Sequence, residues 1–136
     1  MPRILLIDDN EEGRESLSEI LQSTGFDVVT AGDGERGLVL ARSARPDLVV
    51  MDMNMPVLDG WQTTRTLRTD PATRHLKIIA LTGHPLPEDR EKAFQAGCCA
   101  FHVKPVNFDR LLVQIEEALR EGATMLPEPG SASPGK

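Results

Sequence analysis

Four short, mostly apolar runs in this chain each lead into a polar side chain, and that repeat constrains the fold more than any other feature. Ile4-Leu5-Leu6-Ile7 runs into the Asp8-Asp9 pair, Leu48-Val49-Val50-Met51 into Asp52, Ile78-Ile79-Ala80-Leu81 into Thr82, and Ala100-Phe101-His102-Val103 into Lys104. Runs this short read as strands, and stretches of helical periodicity separate them. Such alternation predicts an α/β fold with a parallel sheet. Every strand of an open parallel sheet points the same way, so residues that follow different strands gather at one edge, where such folds bind ligands. Three carboxylates, a hydroxyl and an ammonium are therefore expected in one cleft.

The first strand is expected over 3–7, followed by a helix over 11–23 that places Leu17, Ile20 and Leu21 on one face and stops near Gly25. A strand over 26–30 and a turn at Gly32-Asp33-Gly34 lead to a helix over 35–44, with Leu38 and Ala41 inward and Pro46 just beyond. The third strand, 48–51, is apolar throughout, as a central strand covered on both faces should be. Strands follow over 77–81 and 100–103, and helices over 61–68 and 88–96, the latter closed by Gly97. Asn107 caps a last helix whose apolar stripe is Phe108, Leu111, Leu112, Ile115 and Leu119. These five βα units make one domain over 1–121, and the Pro-Gly-Ser-Ala composition of 122–136 predicts a disordered tail.

At 136 residues and 40% apolar content the chain has enough material for one core. Its 15 Lys and Arg against 21 Asp and Glu give a net charge of -6 with no basic cluster, which argues against direct nucleic-acid binding. The apolar run before Asp8 is too short for a signal-peptide core and no stretch approaches a membrane span, so a cytoplasmic location is expected. Cys98 and Cys99 are adjacent, lack metal or redox spacing, and read as reduced apolar residues.

Carboxylates crowded at one edge repel each other, and a hard dication relieves this. Mg²⁺, or Mn²⁺ in its place, combines carboxylates with waters and a phosphate oxygen. The plain alternative is that Asp8-Asp9-Asn10 only caps the first helix, where acids are favoured. Asp52 has no such explanation, because it ends the most apolar run in the chain. It is the best nucleophile: a carboxylate can take a phosphoryl group as an acyl phosphate, given positioning and charge stabilisation. Lys104 is suited to supply part of that charge, its plain alternative being a solvated surface ammonium. Thr82 lies beside the small Gly83 or is an ordinary strand-end threonine. The Lys104-Pro105 bond is a candidate cis peptide.

In this order the residues resemble the receiver domain of two-component response regulators, of the stand-alone chemotaxis or cell-cycle type. The resemblance covers 3–120 and rests on Ile7-Asp8-Asp9-Asn10, Met51-Asp52-Met53-Asn54-Met55-Pro56, Asp59-Gly60, Leu81-Thr82-Gly83, Ala96-Gly97 and Lys104-Pro105. It implies a flavodoxin-like doubly wound sheet of order 2-1-3-4-5. It implies that Asp52 accepts phosphate from a phosphohistidine on a sensor histidine kinase or a histidine phosphotransfer protein. Asp9 and Asp52 would coordinate Mg²⁺, with Asp8 acting through water and Asn54 through its backbone carbonyl. Thr82 and Lys104 would each hold a phosphoryl oxygen, and Pro105 would be cis.

The resemblance also implies that an aromatic at Phe101 turns inward on phosphorylation; its plain role is packing under the last helix. His84 falls where phosphoryl lifetime is tuned or is simply solvated. His75 and His102 read as structural, and Trp61 as packing for the third helix. Output would leave through the fourth helix, fifth strand and fifth helix to a downstream protein, from a stand-alone regulator or a receiver belonging to a hybrid kinase.

Two other classes compete. A haloacid-dehalogenase-type phosphatase also uses an aspartyl phosphate, but needs a second acid two residues after the nucleophile, where Asn54 stands. A flavodoxin-like FMN module needs a phosphate loop after the first strand, where Asp8-Asp9-Asn10-Glu11-Glu12 would repel phosphate.

Overall fold

The computed structural model describes residues 1–55, 58–83 and 85–124. Within them strands and helices alternate: β1 Arg3–Ile7, α1 Glu11–Ser23, β2 Asp27–Ala31, α2 Gly34–Ser43, β3 Leu48–Asp52, α3 Gly60–Thr69, β4 Lys77–Thr82, α4 Asp89–Ala96, β5 Ala100–Val103 and α5 Phe108–Thr124. The described strands form one parallel sheet in the order β2-β1-β3-β4-β5. This is the doubly wound α/β fold that the alternation implied.

Side-chain alternation divides the core into two layers. Leu5, Ile7, Val49, Met51, Ile78 and Ala80 face the layer closed by Ala41 of α2, Leu67 of α3 and Ala93 of α4. Ile4, Leu6, Leu48, Val50, Ile79 and Leu81 face the layer closed by Leu17 and Leu21 of α1 and by Leu111, Ile115 and Ala118 of α5. All five residues of β3 are buried, as expected of the strand at the centre of the order.

Local chemistry sets the helix ends. The Asn10 side chain accepts the Gly13 amide at 2.7 Å and caps α1. Asp59 and Gln62 form a reciprocal capping box at the start of α3. Gly97 closes α4 in the left-handed region at φ 108°, where an L side chain would be strained.

Several element limits move by one residue, and three departures concern β2, α1 and α5. The second strand runs Asp27–Ala31 instead of 26–30, because the Phe26 amide is taken by Leu21 O of α1 at 3.2 Å while Ala31 O accepts the Asp8 amide at 3.1 Å. Ile20 does not join Leu17 and Leu21 in the core; it is 42% exposed on the flank of α1. Finally α5 continues through Gly122 to Thr124, beyond the boundary expected at 121, and the rest of the expected tail, 125–136, lies outside the described residues.

Candidate functional site at the carboxyl edge of the sheet

The strand order reverses direction between β1 and β3, and in open α/β sheets the crevice beyond the carboxyl ends at such a point is where ligands bind. Asp8 follows β1 and Asp52 ends β3 on the two sides of that point. Ligand oxygens of Asp8, Asp9 and Asp52 all lie within 4.8 Å of one another. Asp8 and Asp52 are buried and Asp9 is exposed. Because Asn10 caps α1, the two acids before it are not consumed by that cap.

Backbone hydrogen bonds aim the acids. Asp8 accepts the Asn10 amide at 2.9 Å and Asp52 accepts the Asn54 amide at 3.0 Å, each over two residues. The Arg14 guanidinium donates to Asp8 O at 2.7 Å, fixing the turn between β1 and α1. Beneath Asp52, a Cβ on Gly60 would lie 2.5 Å from Met53 Cα and 2.9 Å from Asp52 O, so only glycine lets α3 start this close to the end of β3.

Lys104 reaches in from the other side of the sheet. Its ammonium lies 3.1 Å from Asp8 Oδ2 and 3.4 Å from Asp52 Oδ2, and the Lys104-Pro105 bond is cis. The solvated-surface alternative for Lys104 is excluded by these contacts. Its backbone amide donates to Thr82 O at 2.7 Å. Thr82 is buried and donates its hydroxyl to Asn54 Oδ1 at 2.6 Å. Sequence reasoning assigned Asn54 only a backbone role; the partnership of its side chain with Thr82 has no local sequence signal, since the two lie 28 positions apart. Sequence reasoning gave Arg14 no role, although its bond to Asp8 O spans only six positions.

Electrostatics match this geometry. Burial pushes the Asp52 carboxyl from 3.8 up to about 6, against the Asn54 amide and Lys104, while the neighbouring Asp8 charge adds to the rise. Burial disfavours the Lys104 ammonium, but hydrogen bonding and attraction from Asp8, followed by those of Asp52, outweigh it and lift Lys104 above its ordinary value. Three converging acids balanced by one shared ammonium leave surplus negative charge. That donor set fits a hard divalent cation with oxygen ligands.

Phe101 is buried, but not under α5. It belongs to the layer of α2, α3 and α4, because β5 alternation turns it to that side and gives His102 to the α5 side. His75 is exposed rather than structural, and His84 and Pro56 lie outside the described residues. Trp61 packs at the start of α3 with the Lys92 ammonium of α4 4.4 Å over its ring.

Residues 4–116 match the response regulator receiver domain family. This chain belongs to that family. The polar-differentiation response regulator DivK of Brucella anthropi is 32% identical to it over 120 residues, covering 88% of this chain and 98% of DivK. The solved chemotaxis protein CheY4 of Vibrio cholerae is 32% identical with a TM-score of 0.81, covering 87% of this chain and 98% of that one. A CheY-like receiver from Methanospirillum hungatei superposes with a TM-score of 0.85 at 28% identity, over 91% of this chain and 98% of its own. The chain is thus a receiver of two-component signalling, not an enzyme that turns over a small molecule. Receivers bind Mg²⁺ through an acidic pocket and work with histidine kinases or phosphotransfer proteins and with downstream targets.

Proposed function

We propose that Asp52 is the phosphoryl acceptor of this receiver, and that the chain itself catalyses both the gain and the loss of that group. One observation carries the reading: the buried Asp52 carboxylate shares the Lys104 ammonium with Asp8 at the point where the sheet reverses. Asp9 and Asp52 would hold Mg²⁺ directly, Asp8 through water, and Asn54 through its backbone carbonyl. The bound ion, Mg²⁺ or Mn²⁺, supplies positive charge for the transferring phosphoryl oxygens.

The remaining steps belong to the chain's own residues. An Asp52 oxygen attacks the phosphorus, the P–N bond to the donor histidine breaks, and its electron pair leaves with the imidazole. Lys104 pairs with one phosphoryl oxygen. Thr82 exchanges Asn54 for another. A neutral hydrogen bond contributes about 1 kcal/mol and one to a charged group roughly 1.5–3 kcal/mol, so the exchange favours the phosphorylated arrangement. Inverting a population from about 1:99 to 99:1 takes ~5.5 kcal/mol, more than the Thr82 exchange alone supplies.

The donor is a phosphohistidine on a sensor histidine kinase or phosphotransfer protein. A groove of about 390 Å³ beside Asp8 and Lys104, walled by Leu17 and Ile20 of α1 and by Pro105 and Phe108, supports docking of an apolar helical surface there. Output runs through α4, β5 and α5 to a downstream protein, supported by the exposed Phe94, Val103 and Val113, one on each element. We place the protein in the cytoplasm; among the described residues no helix is long and apolar enough to cross a membrane.

Incubation with acetyl phosphate and Mg²⁺, followed by intact mass measurement, tests the acceptor. One phosphoryl group should be gained and Asp52→Asn should abolish the gain; labelling that persists in the variant places the acceptor elsewhere.

A further inference from the structure

His102 is 2% exposed, lies on β5 two residues before Lys104, and has no part in the chemistry above. At this position a polar ring within an apolar layer requires partners, and the structure supplies one for each nitrogen. The Asn107 backbone amide donates to His102 Nε2 at 3.1 Å. A backbone N–H can only donate, so Nε2 carries no proton. The neutral ring then holds its proton on Nδ1, 2.9 Å from Gln114 Oε1, which accepts it. With Oε1 so assigned, the Gln114 amide nitrogen faces Phe101 O at 3.4 Å and donates. All three bonds agree on one tautomer and one amide orientation.

The ring closes the backbone turn that carries Lys104. His102 stands before the segment 103–106 and Asn107 after it, while Asn107 Oδ1 accepts the Arg110 amide at 3.1 Å and caps α5. The segment is therefore tied at its far end to an imidazole rooted in the sheet, and at Lys104 to Thr82 O at 2.7 Å. Removing the imidazole would free the far tie and take away the acceptor of the Asn107 amide.

We propose that His102 is a positioning residue: as its Nδ1–H tautomer it pins the turn between β5 and α5, and so holds the Lys104 ammonium against Asp8 and Asp52. This rests on the acceptor role of Asp52 and adds a residue to that site. Placement of a reacting group matters steeply, since a misplacement of about 1 Å costs on the order of 100-fold in rate.

Two substitutions separate positioning from filling space. His102→Leu occupies a similar volume without an acceptor, whereas His102→Gln can return an amide oxygen to the Asn107 N–H. Labelling of Asp52 by acetyl phosphate should slow between about 10- and 100-fold in the leucine variant and recover most of its rate in the glutamine variant. Lysine-selective ¹H–¹⁵N spectra recorded without Mg²⁺ should show a slowly exchanging Lys104 ammonium in the wild type and in His102→Gln, lost in His102→Leu. Wild-type rate in the folded leucine variant, or equal slowing in both variants, overturns the proposal.

Imidazole ¹⁵N shifts of the unmodified protein must show the proton on Nδ1; a proton on Nε2 overturns it regardless of how the variants fold. If the wild type takes no phosphoryl group, the acceptor reading falls instead, and the ammonium and imidazole spectra still decide the role of His102.

Discussion

The two halves of the site are built by different means. The acidic half is local: Asp8 and Asp52 are each oriented by an amide two residues ahead, on turns leaving adjacent strands. The basic half is assembled over distance, since Lys104 meets Asp8 across 96 positions and Asp52 across 52. Its turn is fixed by a cross-sheet bond to Thr82 and by the His102 imidazole. Local turns orient each acid and β1–β3 pairing brings Asp8 and Asp52 together, whereas the ammonium is carried in on the turn after β5.

That contrast breaks most sharply at Lys104 itself. Lys104→Met should leave the acidic cluster and Mg²⁺ binding in place but slow acetyl phosphate labelling by about 10²–10³, as removal of one preorganised charge-stabilising donor does. Intact mass against time gives the rate; a decline of less than threefold would show the ammonium to be dispensable.

Next in size is Gly60→Ala, which should destabilise by roughly 1–3 kcal/mol in urea unfolding, because the new Cβ meets backbone of Asp52 and Met53. An unchanged midpoint would mean that α3 can retreat freely.

Asp52→Asn should stabilise the protein without Mg²⁺. Since the folded pKa of about 6 exceeds the ordinary 3.8, the native state binds this proton more tightly than the unfolded chain does. The charge therefore destabilises in full above about pH 6, and its cost fades as pH falls toward 4. The variant's advantage should be on the order of 1–3 kcal/mol at pH 8 and vanish below about pH 4. A pH-independent gap would assign the effect to something other than this ionisation.

The smallest effect is expected from Asn10→Ala, which removes the α1 cap at a cost of about 1 kcal/mol in chemical unfolding while leaving the Lys104 contacts intact. A disturbed Lys104 ammonium signal in that variant would show the two halves to be coupled.

What the sequence disclosed follows the same division. Hydrophobic alternation located β1, α1 and β5 at their observed limits, because their patterns are short-range and uninterrupted. Gathering of Asp8, Asp52, Thr82 and Lys104 was legible from the rule that parallel strands share one carboxyl edge. Ile20 was misplaced because helical period gives a face but not its width, and α1 leaves that flank beside a groove. The plain role given to Phe101, packing under the last helix, put it in the wrong layer because parity along β5 becomes meaningful only once its register against β4 is known. Neither the Thr82–Asn54 bond nor the His102 bridge has any signature in composition or spacing; both depend on rotamers fixed by tertiary packing.

One rung of the sheet has a further consequence. Lys104 N–H and Thr82 O are directly bonded, so the main chains carrying the hydroxyl and the amine cannot drift apart independently. Any change in where Thr82 aims its oxygen is then chiefly a turn about χ1, and a β-branched side chain has few staggered positions to choose from. The hydroxyl is therefore expected to move between discrete stops instead of along a continuous range.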